Sequence, residues 1–175
     1  MGMSMSSYYF SWYIFYSIVL FIYSVVWTLI SKRPMAPDAN IVLYFLLYFL
    51  SGQYFLCLAI LIASLFSRAK PGVLTAIICY LVLFGVATAN DSISPEEVST
   101  NTIYALSPIA GLRMSCDMML LVQSFYQSFG FGLFSETILG FKYSVWFWIT
   151  LIKSVVFYLL AIYLDQVWPK ETGVA

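Results

Sequence analysis

The sequence predicts an all-α polytopic membrane protein: four transmembrane helices, with a re-entrant helical pair ahead of the last. Three observations predict it. Of its 175 residues 62% are hydrophobic and only 9% charged, against the roughly 25% charged of soluble domains. From Ala39 to Ser67 the chain runs 29 residues without Asp, Glu, Lys or Arg, and about 20 apolar residues suffice to cross a bilayer. Leucine, phenylalanine, isoleucine and tyrosine occupy every face of that run, so it has no side to turn to water. Three further apolar runs of spanning length recur along the chain.

The first span is expected over about residues 10–30. It is rich in aromatic and β-branched residues, and Ser31-Lys32-Arg33-Pro34 ends it. A signal peptide would carry a basic start and a short apolar core, whereas the first charge here is Lys32. The second span, about 41–66, is long enough to tilt and is interrupted by Ser51-Gly52-Gln53. Pro71 opens the third, about 71–89, since proline suits the first helical turn. The fourth, about 143–164, carries Trp146 and Trp148 at interfacial level and stops before Pro169.

Residues 94–141 differ in character. Ser94-Pro95-Glu96-Glu97 has a serine cap, a proline at the first position and a glutamate at the third, which reads as a helix start. Ser107-Pro108 repeats that signal before a helix running to Phe125, and Gly130-Phe131-Gly132 breaks it. Met118 to Ser135 is 18 residues long and free of charge, but holds Gln123, Gln127, three serines and two glycines. Extending it upstream brings in Arg113 and Asp117, each costing a few kcal/mol (~3) at mid-membrane. Two helices that dip in and return, shielded by the spans, fit better than a fifth crossing.

Eight basic residues balance eight acidic ones, so no net field points to nucleic acid. Histidine is absent, and Cys57, Cys79 and Cys116 lie far apart, which supports neither a metal site nor a disulfide framework. No catalytic or cofactor-binding constellation stands out. Gly130-x-Gly132 lacks the strand, lysine and further glycine of a phosphate cradle, so this chain is expected to bind no ATP.

The fourth span runs straight into Tyr163-Leu164-Asp165-Gln166-Val167-Trp168-Pro169-Lys170-Glu171-Thr172-Gly173. A Tyr-Leu-Asp-Gln-Val-x-Pro-x-Glu-x-Gly string after an apolar helix resembles the membrane domain of ABC transporters of the A subfamily. Thr172 stands where that family has an aromatic residue. Leu65-Phe66-Ser67-Arg68-Ala69-Lys70 is similar to the family's short cytosolic turn. Leu106-Ser107-Pro108 is similar to the opening of the segment before its last span. Met1-Gly2-Met3 with Tyr9-Phe10-Ser11-Trp12 is similar to the end of a coupling segment and the next helix.

By this resemblance, residues 1–175 form a partial transmembrane domain, the third to sixth spans of a six-span half. Residues 1–9, 67–71 and the tail after Leu164 would be cytosolic, and residues 32–40 and 91–142 would face the lumen or exterior. An ATP-binding domain, holding ATP and Mg, would follow downstream, and a second transmembrane half would complete the pathway. Membrane lipids are the remaining expected partner, and the location is a plasma membrane or endomembrane.

Each polar residue reads two ways. Lys153, about ten residues into its span, either grips a lipid headgroup or an acid, or lets its long stem snorkel or pairs structurally within the bundle. Arg113 and Asp117 stand at i,i+4, either near the exit of a lipid path or as a plain structural pair. Arg68 and Lys70 hold anionic lipid or simply anchor the cytosolic side. Asp165, Gln166 and Glu171 couple to a nucleotide-binding domain or merely finish a helix. Asn90-Asp91-Ser92 matches a glycosylation acceptor pressed against a span end. The first expectation is therefore a part of an ATP-driven lipid transporter. Its rivals are a truncated, non-catalytic partner of a complete transporter, and a small four-span scaffold.

Overall fold

The computed structural model describes residues 5–66, 69–89, 101, 103, 106–125, 128–138 and 140–167. Helices α1 (Met5–Met35), α2 (Ile41–Leu65) and α3 (Ala69–Ala89) follow one another through short turns. A shorter helix, α4 (Pro108–Ser124), leads through a 3-10 turn (Phe131–Leu133) to a two-stranded hairpin, β1 (Thr137–Ile138) and β2 (Phe141–Lys142). The last helix is α5 (Tyr143–Val167). Among the described residues, α1, α2, α3 and α5 are each long and apolar enough to cross a membrane. The all-α class and the four long apolar helices are thus as the sequence led us to expect, while the first helix of the expected re-entrant pair falls outside the described residues.

Boundaries differ where backbone bonding outlasts apolarity. Helix α1 runs past Ile30 to Met35 with Pro34 inside its last turn. Proline there forfeits one backbone bond. The turn is kept by Ala36 N–H donating to Lys32 O at 2.9 Å and by Ser31 Oγ to Trp27 O at 2.6 Å. Helix α3 begins two residues before Pro71, whose missing N–H costs nothing in a first turn. Helix α5 continues three residues past Leu164. The expected helix start at Ser94 and the Asn90 acceptor lie outside the described residues.

Helix α2 is the hub. It starts on Asn40, whose side chain accepts from Val42 N–H at 2.9 Å, and it packs against α1, α3, α4 and α5. Antiparallel packing of α1 on α2 follows from Ser17 bonding Gln53 and Tyr44 bonding Ser31. Helix α5 runs parallel to α2: Tyr143 bonds the Leu43 carbonyl at 2.9 Å, and further along Phe157 stacks on Tyr54 with centroids 5.4 Å apart.

Burial is uneven along the bundle. The core of Leu43, Leu47, Met118, Phe129, Tyr143 and Trp146 gathers where α1 ends and α2 and α5 begin; we term this the cap end. Toward the other, open end, large apolar side chains of α1 and α3 face outward. Of the described α3 side chains only Ala87 is buried. Hydrocarbon tolerates such exposure where water would not.

Candidate functional site

Lys153 fixes the level of Leu106, just before α4. It stands ten residues beyond Tyr143, about 15 Å along the helix axis. Its Nζ donates to the Leu106 carbonyl at 2.7 Å and lies 5.9 Å from the centroid of the Tyr54 ring. Leu106 is therefore held level with the middle of α5, and α4 runs from there toward the cap end. Irregular backbone at that depth needs a donor for its carbonyls, and Lys153 supplies one. Ser107 takes the cap position with Pro108 next, as expected, but its hydroxyl makes no cap bond and lies buried without a partner.

Arg113 has two partners. Its Nη1 donates to the Ala87 carbonyl at 2.7 Å, while Nε stands 3.7 Å from Asp117 Oδ2. Ala87 lies in the last turn of α3, whose carbonyls lack intrahelical donors, so the guanidinium caps that helix end. The expected i,i+4 pair exists, but the closer contact is to backbone. Farther up α4, Gln123 Nε2 donates to Asp38 Oδ2 at 3.2 Å, and Asn40 N–H to the Phe129 carbonyl at 2.8 Å. Met114, Met118, Met119 and Val122 turn the apolar face of α4 into the core. Burial pushes the Cys116 thiol up to about 12, and neighbouring Asp117 pushes the same way.

A seam of hydroxyls along α1, which sequence reasoning missed, faces α2. Ser17 donates to Gln53 Oε1 at 3.2 Å, and Ser31, Tyr44 and Tyr48 form a linked cluster. Between them Ser24 and Thr28 are buried with no hydrogen-bond partner. Residues 17, 24 and 31 recur every seven positions, with 28 one turn after 24, the signal that could have found the seam. Small residues there let the helices approach closely; a Cβ added at Gly52 would stand 3.1 Å from Leu20 Cδ2.

At the open end the helices part. A groove of about 570 Å³ lies between α1 and α2, with Tyr9, Trp12 and Tyr16 on one wall and Ala59 and Ala63 on the other. Two clefts of about 340 Å³ each separate α2 from α3. Lys70 stands exposed in the first turn of α3, while Arg68 lies outside the described residues. Asp165 and Gln166 fall in the last turn of α5. Glu171 lies outside the described residues. Arg113 and Asp117 thus stand toward the cap, Lys153 at the middle of α5, and Asp165 and Gln166 at the far tip.

No family model matches the chain. Similarity is found to proteins described as "Cholesterol transporter ABCA5". The identity is 26% over 179 residues in Rattus norvegicus, 27% over 178 in Mus musculus and 25% over 177 in Homo sapiens. Each match covers 99% of this chain and 10% of the relative, so the chain spans about a tenth of the length of the relatives it matches. The chain thus has four apolar helices of spanning length and a distant similarity, over nearly all of its own length, to part of a cholesterol transporter.

Proposed function

We propose that these residues form four spans of the membrane part of an ATP-driven transporter that moves lipid across or out of the bilayer. Hydrolysis of ATP, with Mg, belongs to a nucleotide-binding domain outside this chain, and a second transmembrane half completes the path. Similarity over 99% of the chain to a cholesterol transporter carries the reading. The fold agrees with it. A pump must bind its cargo differently in two states, and a bundle packed at one end and parted at the other has room to change at the parted end.

On this reading the cap end is extracytosolic, and the tip of α5 reaches the cytosol, where Asp165, Gln166 and Glu171 meet the ATP-driven domain. Single cysteines test it, introduced as Lys32→Cys, Lys70→Cys and Gln166→Cys after Cys57, Cys79 and Cys116 are replaced by serine. In intact cells an impermeant maleimide is expected to label position 32 alone, and positions 70 and 166 only after permeabilisation. Labelling of position 166 from outside would put the tail on the wrong side for an ATPase and overturn the proposal.

A further inference from the structure

We infer that the open-end half of α3 is a strap that closes onto α2, and that the structure shows it parted. The two helices run antiparallel from their turn, with Phe66 against Gly72 and, farther along, the Phe55 and Tyr80 rings 6.3 Å apart between centroids. Counted back from that ring pair, Ala59 stands level with Ala76 and Ala63 with Gly72. Small residues four apart on both helices let backbones in a membrane approach to about 8 Å between axes. Here the matched faces look at each other across the two clefts of about 340 Å³. Phe55 and Tyr80 wall the gap at one end and Phe66 at the other.

The opposite end of α3 is the anchored one. There Ala87 is buried, and Arg113 bonds its carbonyl at 2.7 Å. Gly72 lies 15 residues from that anchor, about 22 Å along the helix. A cleft of about 340 Å³, spread over roughly 10 Å of helix width and 10 Å of length, is about 3 Å deep. A swing of about 8° about Ala87 therefore shuts it. Shutting exchanges mobile lipid chains for fixed backbone, and lipid entropy favours that exchange. The rings of Phe55, Tyr80 and Phe66 prop the parted form and turn aside for the other. Closure is a matter of packing alone and stands whichever side the α5 tip proves to face.

Ala59→Cys and Ala76→Cys are introduced together into the full-length chain, with Cys57, Cys79 and Cys116 replaced by serine, in phosphatidylcholine nanodiscs. A disulfide requires the two Cα atoms to come within about 7 Å. Oxidation by copper phenanthroline is expected to join the pair within one chain. Gly72→Leu fills the cleft and is expected to slow joining about tenfold. Added there, a Cβ would stand 3.6 Å from Phe66 Cβ, an ordinary contact, and retained helicity and elution volume confirm that the variant is folded. Tyr80→Ala removes a prop and should speed joining severalfold. Full linkage by a long bismaleimide with no disulfide would mean a fixed gap filled by lipid, and would overturn the closure. Joining at an unchanged rate in Gly72→Leu overturns it as well, since the pair then meets without the cleft shutting. Linkage between two copies, seen as a dimer band in place of joining within one chain, counts equally against it.

Discussion

Replacing Lys153 by methionine should loosen the segment before α4 without destabilising the bundle. The two effects have different sources. The ammonium bonds the Leu106 carbonyl at 2.7 Å. Polar bonds inside membrane proteins are worth about 0.6–1.7 kcal/mol, and charged ones up to about 3 kcal/mol in soluble proteins. Losing about 1–2 kcal/mol locally makes opening roughly 5–30 times more frequent. Against that, a lysine near mid-span costs about 2.5–3.5 kcal/mol to insert, which methionine removes. Global unfolding in SDS should therefore be unchanged or slightly harder. Local exposure should rise, read as the rate at which a water-soluble maleimide labels Leu106→Cys in a background free of other cysteines. The bond is to backbone, so that substitution preserves it. Faster labelling by roughly 5–30-fold is expected in Lys153→Met, and Lys153→Arg should restore the slow rate. Unchanged labelling in Lys153→Met would refute the tether.

Three further outcomes are expected. Tyr143→Phe removes a fully buried donor from the Leu43 carbonyl, costing about 1–3 kcal/mol in SDS-induced unfolding. Arg113→Met uncaps α3; the side chain is 40% exposed, so the cost is discounted to about 1 kcal/mol. It should appear as roughly fivefold faster amide exchange in residues 85–89, which Gln at position 113 only partly restores. Cys116, with its thiol held up to about 12, carries almost no thiolate at pH 7–9. It should resist iodoacetamide until the protein is denatured. Asp117→Asn lowers the thiol slightly and speeds the reaction modestly, since burial is the larger cause.

The spans were legible because hydrocarbon leaves a coarse signature: length and absence of charge suffice, whatever the packing. The start of α4 was legible from Ser107-Pro108, a local signal. Its partners were not. Nothing near Arg113 in sequence points to Ala87, 26 residues away, because the guanidinium serves a carbonyl orphaned by tertiary geometry. Lys153 could be placed at mid-depth by counting, yet only the fold brings Leu106 to it. The hairpin before α5 was also within reach of the sequence. Its signal was present: Ile138 pairs with Phe141 across two residues, and Gly140 takes a positive φ of 69°, which glycine accepts without strain. The grooves leave no linear trace, since they arise from how far apart helices stand.

Unequal packing along the bundle has a mechanical meaning. Gln123 on Asp38, the Phe129 carbonyl on Asn40 and Tyr143 on the Leu43 carbonyl knit the ends near Asn40 and Tyr143 together, so that end would serve as a pivot for the tips near Leu65 and Val167. Helix α2 is about 37 Å long at 1.5 Å per residue, so a ten-degree tilt about the pivot would carry its tip about 6 Å. Force applied at those tips acts with the greatest leverage and the fewest interlocked neighbours to displace.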